Sequence, residues 1–158
     1  MPPAIGWLSR AEMDAMLAVP DRRTSQGRRE YALLLFLYNT GARVSEAVQL
    51  RVRDLTLARA RGGHDLATLL GKGGKVRQCP LWPETEQILA AEIHGRAADA
   101  AVFVSRLGEQ YTRFGVYRLI ERCALQVPQL AKRTITPHVI RHTTACHLVQ
   151  AGVDLYKV

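Results

Sequence analysis

Four basic residues, carried by two short motifs and a glycine-rich turn, have the chemistry to clamp one phosphodiester and move its protons without a metal. They are Arg43 in Thr40-Gly41-Ala42-Arg43-Val44-Ser45-Glu46, Lys72 in Gly71-Lys72-Gly73-Gly74-Lys75, and His138 with Arg141 in Thr136-Pro137-His138-Val139-Ile140-Arg141-His142. A guanidinium holds a phosphate bidentately, a histidine exchanges protons near neutral pH, and a lysine can protonate a leaving oxygen. His138 and Arg141 are three residues apart, so they share a face in the first turn of a helix opened by Thr136 and Pro137. That helix terminus adds partial positive charge and suits an anion. Taken alone, the same pair also fits the solvated face of an ordinary amphipathic helix. Arg43 likewise serves either as a fixed guanidinium, with Glu46 to orient it, or as a solvated charge at a helix start. Lys72 sits at what is either a backbone-approaching turn or a plain basic hairpin tip. It is not a P-loop, because the Gly-x4-Gly-Lys-[Ser/Thr] spacing is missing and Val76 follows Lys75 where a hydroxyl is needed. Lys75 and Arg77, with Arg51 and Arg53, are further candidates for phosphate contact or solvated charges. His142 and His147 read as structural, since the chain lacks the His-Glu-x-x-His of a zinc protease helix.

The elements that must position these residues follow from pattern and caps. Ser9-Arg10-Ala11-Glu12 is a capping box opening a short helix that carries Met13, Met16 and Leu17. Residues 20–27 read as a loop. Arg28 to Asn39 predicts a helix apolar on most sides, hence central, with Gly41 as its stop. Ser45 can cap a helix from Glu46 to about Val52. Asp54 to Ala60, Ala67 to Leu70 and Val76 to Leu81 predict a small antiparallel sheet, with a loop at Gly62-Gly63 and the lysine turn between the last two strands. Pro83 to about Arg96, Thr112 to Leu125, and Pro137 to Gln150 with Thr136 as its cap predict three further helices, and Val102 to Val104 a short apolar stretch. Val153 to Val158 reads as the start of another helix. The expected class is α+β: mainly helical with a small three-stranded antiparallel sheet.

At 158 residues, one domain with a real core is expected. Lys plus Arg number 22 against 14 Asp plus Glu, a formal net charge of +8. With a pI near 9.9, the chain favours a polyanionic partner, nucleic acid first. Cys79, Cys123 and Cys146 are odd in number and lack a CxxC pair, as expected of reduced thiols in a cytoplasmic protein and not of a disulfide frame or zinc site. The first seven residues lack the basic and apolar regions of a secretory signal. The apolar run from Tyr31 to Tyr38 is far too short to span a bilayer, so no membrane partner is expected.

The three motifs, in this order, resemble those of the catalytic domain of the tyrosine recombinases, the phage integrase family. Tyr38 to Glu46 is similar to the first-arginine motif of that family. Leu69 to Arg77 with Pro80-Leu81 is similar to its lysine hairpin, and Thr136 to Thr143 to its His-x-x-Arg box. His147 to Asp154 continues the last helix as family members do. The match begins near Trp7-Leu8-Ser9 and covers almost everything to Val158. The resemblance implies the DNA breaking-rejoining catalytic-domain fold, with double-stranded DNA as substrate, other recombinase protomers as partners, and no metal, ATP or other cofactor. It implies that Arg43 and Arg141 hold the non-bridging oxygens of the scissile phosphate, that Lys72 protonates the leaving 5′ oxygen, and that His138 assists proton transfer at the nucleophile. Bond energy would be kept in a 3′-phosphotyrosine.

The sequence departs from the family pattern at both ends. Beyond the His-x-x-Arg helix the family carries a Gly-His step and then the nucleophilic tyrosine. Tyr31, Tyr38, Tyr111 and Tyr117 precede the box, and Tyr156 follows it too closely, so packing is its expected role. The family's N-terminal DNA-clamping domain is not represented either. The expectation is an incomplete catalytic domain over residues 1–158 that does not cleave DNA as it stands. The alternative is a non-catalytic DNA-binding remnant, or an inhibitor of an intact recombinase.

Overall fold

The computed structural model describes residues 6–57 and 63–152. Helix α1 (Arg10–Leu17) opens on the expected capping box: the Ser9 side chain accepts from the Glu12 amide, and the Glu12 carboxylate accepts from the Ser9 amide at 2.8 Å. Helix α2 (Ser25–Thr40) is the axle of the molecule. Every residue from Ala32 to Thr40 is buried, so the helix is surrounded. A fully buried leucine contributes about 1.5–3 kcal/mol relative to exposure; Leu33, Leu34 and Leu37, with Phe36, supply that here. Phe36 packs on Phe103, ring centroids 5.1 Å apart.

Helix α2 starts earlier than the sequence predicts. Thr24, which falls in the expected loop, is its cap and accepts from the Gly27 amide at 2.9 Å. Gly27 lies inside the first turn because the Asp21 backbone packs against it; a Cβ there would sit 1.7 Å from the Asp21 carbonyl oxygen. The glycine marks a close approach between loop and helix, which single-residue propensity does not reveal. At its other end α2 stops at Gly41, as expected, in the left-handed conformation (φ 64°) that favours glycine.

Helix α3 (Val44–Gln49) also begins before its expected start. Ser45 is not the cap. Arg43 occupies the capping position, and the Glu46 carboxylate accepts from the Arg43 amide at 2.7 Å. A short 3-10 turn (Val52–Asp54) leads into β1 (Leu55–Thr56), followed by β2 (Leu66–Leu70) and β3 (Val76–Pro80). The sheet is antiparallel in the order β1-β2-β3, with Leu55 opposite Ala67 and Leu70 opposite Val76. β1 is shorter than predicted; the remainder of that stretch and Gly62 lie partly or wholly outside the described residues. Pro80 closes β3 on the sheet's edge, where its missing N–H costs no ladder bond.

Helix α4 (Pro83–Ile93) ends three residues before the predicted Arg96. Val102 and Phe103 are buried, and the Val102 amide donates to the Leu50 carbonyl, stitching this stretch beneath α3. Helices α5 (Arg113–Leu125, capped by Thr112) and α6 (Pro137–Gln150, capped by Thr136) complete the fold. The helix expected from Val153 onward and Tyr156 lie outside the described residues. Among the described residues no helix is long and apolar enough to cross a membrane, and no cluster of three metal-ligating side chains occurs.

Candidate nucleic-acid interface

The C-terminal end of α2 meets the first half of α6, and this junction organises the site. Helix ends leave carbonyls unsatisfied; here α6 side chains take them. Thr144 Oγ1 donates to the Tyr38 carbonyl at 2.8 Å, and Arg141 Nε donates to the Gly41 carbonyl at 3.0 Å. A Cβ on Gly41 would sit 3.3 Å from Thr144 Cγ2, so Thr144 would have to give by a few tenths of an ångström, while the positive φ itself favours glycine. The Arg141 Nε is therefore fixed while its terminal nitrogens make no hydrogen bond to the described residues.

A second set of bonds holds α6 from its far side. Thr143 Oγ1 accepts from the Leu8 amide at 2.9 Å. His147 Nε2 lies 2.9 Å from the Leu8 carbonyl, which can only accept, so Nε2 carries the proton. The other ring nitrogen, Nδ1, lies 2.6 Å from the Tyr38 hydroxyl. His147 is structural, as its sequence context suggests. His142, expected to be structural too, is exposed; its Nε2 lies 3.7 Å from Cys146 Sγ.

The lysine turn is fastened separately. The Gly71 amide donates to the Lys75 carbonyl at 2.7 Å, and Gly73 and Gly74 follow with φ of 73° and 76°. Lys72 and Lys75 are exposed on this turn. At the other end of the hairpin, Asn39 of α2 donates to the Pro80 carbonyl at 3.1 Å and accepts from the Trp82 amide at 2.8 Å. A single buried asparagine thus references the sheet to the same helix end that carries Gly41.

Two clefts result. One, of about 250 Å³, is lined by Arg77, His138, Arg141 and His142 over a floor that includes Thr40, Gly41 and Thr144. The other, of about 470 Å³, is lined by Arg43, Glu46, Gly71, Lys72, Lys75, Val76, Arg77 and Arg141. Arg77 and Arg141 belong to both, so the clefts adjoin. All six sequence candidates, Arg43, Lys72, Lys75, Arg77, His138 and Arg141, line this pair. Arg51 and Arg53 line neither; Arg51 instead donates to the Asp99 carbonyl.

Among the described residues, Glu46 is the one carboxylate lining either cleft. Its side chain is 5 % exposed, and Oε1 accepts from the Arg43 amide and from Arg77 at 3.0 Å. The sequence spacing suggests that Glu46 orients the Arg43 side chain. The structure has it fix the Arg43 backbone and pair with Arg77 instead. Half-burial, then the nearby Arg43 and Arg77, push the Arg141 pKa below its ordinary value, with Glu46 opposing. That direction marks uncompensated positive charge in a partly desolvated place, a setting that favours an anion.

The sequence pattern of the phage integrase family matches residues 6–158. An integrase/recombinase of Sinorhizobium fredii, y4rD, is 39% identical over 143 residues, covering 85% of this chain and 50% of that protein. Tyrosine recombinase XerC of Pelobacter propionicus is 33% identical over 147 residues, covering 91% of this chain and 46% of that one. The chain spans about half the length of these relatives. Among solved structures, XerH site-specific recombinase bound to its difH substrate in a pre-cleavage complex superposes with a TM-score of 0.77 at 25% identity, over 96% of this chain and 45% of that one. XerA recombinase shares the fold with a TM-score of 0.78 at 23% identity, over 96% of this chain and 53% of that one.

Proposed function

This chain belongs to the phage integrase family, the tyrosine recombinases, and on that premise we propose that it holds and activates the scissile phosphate in site-specific, metal-independent cutting and rejoining of double-stranded DNA. The observation that carries the reading is the convergence of all six candidate residues on two adjoining clefts that meet at Arg77 and Arg141. Family membership and a superposing relative solved on DNA support it.

In this reading Arg43 and Arg141 hold the two non-bridging oxygens and offset the charge that builds as the phosphorus is attacked. Such preorganised stabilisation is where phosphoryl transfer gains most of its rate. A tyrosine outside these 158 residues attacks phosphorus and forms the 3′-phosphotyrosine; the bond to the 5′ oxygen breaks, and Lys72 delivers a proton to that oxygen. His138 assists the proton leaving the tyrosine. Rejoining reverses the step with a 5′ hydroxyl from another strand. Lys75 contacts flanking phosphates, and further recombinase protomers assemble on the same DNA.

The test is strand cleavage on a nicked suicide duplex by a protein carrying these residues together with the family's tyrosine segment. A covalent DNA adduct is expected, and R43A or R141A should reduce its rate by about 10²–10³-fold while leaving the fold intact. Full-rate adduct formation by either variant overturns the assignment. The 158-residue chain itself should bind duplex and form no adduct; an adduct would place the nucleophile inside it and contradict the reading above.

A further inference from the structure

Resting on the phosphate-binding reading, we infer that Arg77 is a third anion-binding guanidinium, held by Glu46 and turned to a phosphate where the two clefts join. Strand geometry raises the question. Side chains alternate along β3, and Arg77 shares the inward side with buried Cys79, while Val76, Gln78 and Pro80 are exposed. An arginine on the inward side of a strand is uncommon unless its charge is matched.

The match is incomplete. Only one terminal nitrogen of Arg77 reaches Glu46, at 3.0 Å, and that oxygen is shared with the Arg43 amide. The Arg77 Nε is buried with no hydrogen-bond partner among the described residues. A carboxylate dedicated to Arg77 would take two parallel bonds from the guanidinium fork. Instead the fork is half used, beside Arg141 and at the boundary of both clefts. A phosphate at this boundary offers several acceptor lone pairs to the terminal nitrogen that Glu46 leaves unused, and it offsets the surplus positive charge. A plain structural ion pair would leave neither.

The test is a titration of the 158-residue protein with inorganic phosphate at fixed ionic strength, followed by 31P NMR. R77Q should weaken phosphate binding about tenfold, the effect of losing a charge-assisted bond. R77K keeps the charge opposite Glu46 but loses Nε–H and the fork, and should weaken it severalfold; it carries the test should R77Q disturb folding. E46Q frees Arg77 and should tighten binding about threefold, and that gain should vanish in the E46Q/R77Q double variant. A gain that survives the double change, or R77Q and R77K both binding as wild type, overturns the inference. R141Q separates this from the parent reading. If R141Q weakens binding and the Arg77 variants do not, only the role of Arg77 falls. If R141Q also binds as wild type, the phosphate cleft itself is refuted.

Discussion

Each guanidinium of the site is held by a different device. Arg141 is held through its side chain, by one bond from Nε to the Gly41 carbonyl. Arg43 is held through its backbone, by Glu46, and its exposed side chain is free to follow a ligand. Arg141→Lys therefore loses more than a fork: a primary amine cannot both bond the Gly41 carbonyl and present two parallel donors. In a cleavage-competent protein, R141K should lower adduct formation by about 10²-fold or more while shifting the melting temperature little; a rate within about threefold of wild type would show that charge alone suffices. At this scale the sequence is informative, because Arg43, Lys72, His138 and Arg141 sit in motifs whose chemistry reads from residue type. The partner of Glu46 is not legible in the same way. Its targets are a backbone amide three residues back and an arginine on β3, and neither contact is visible from the spacing of Arg43 and Glu46.

Between elements, the decisive feature is the end of α2. Gly41, Asn39 and the Tyr38 carbonyl connect that helix end to α6 and to the sheet. Gly41→Ala should cost about 1–2 kcal/mol from the left-handed backbone alone, a fall of roughly 2–8 °C in melting temperature. Because Thr144 must also give way, phosphate binding should weaken in the same variant. Thermal melts beside a phosphate titration check both; an unchanged melt would mean that the junction tolerates a Cβ. Tyr38→Phe removes the hydroxyl that bonds His147 Nδ1 and should cost about 0.5–1.5 kcal/mol, again read from melting. The helices are largely legible in the sequence because capping residues and apolar periodicity are local. The starts of α2 and α3 are not. Gly27 is set by loop packing, and the α3 start by a carboxylate reaching back, so tertiary and side-chain contacts override propensity.

For the whole molecule, the net charge of +8 and the common basic cleft set the behaviour. Binding to duplex DNA should fall steeply and log-linearly with salt, since each phosphate contact releases condensed cations. Fluorescence anisotropy over a salt series measures the slope; a flat response would argue against phosphate contacts. Stability should respond to alkaline pH through the core. Burial, reinforced by Glu30 and opposed by Arg122, pushes the Cys123 thiol up from 9.0 to about 11. The folded state keeps that proton while the unfolded chain releases it. The stabilising contribution is therefore complete below about pH 9 and is lost as pH rises toward about 11. Melting temperatures should decline across that window, and Cys123→Ala should flatten the decline even though its cavity lowers the starting value. An identical slope in the variant would remove Cys123 as the cause. The α+β class and the small three-stranded antiparallel sheet are legible at this scale because glycine-rich turns and strand runs alternate plainly. The meeting of the two clefts at Arg77 is not, since it depends on how β3 is set against α6.

The most direct measurement is a 15N–1H spectrum of the arginine Nε–H groups during titration with duplex DNA. The account expects the Arg43, Arg77 and Arg141 signals to shift together and saturate at one binding constant, and the Arg43 shift to shrink in R141Q. Saturation of DNA binding with these three signals unmoved, and shifts confined to arginines outside the clefts, would contradict it.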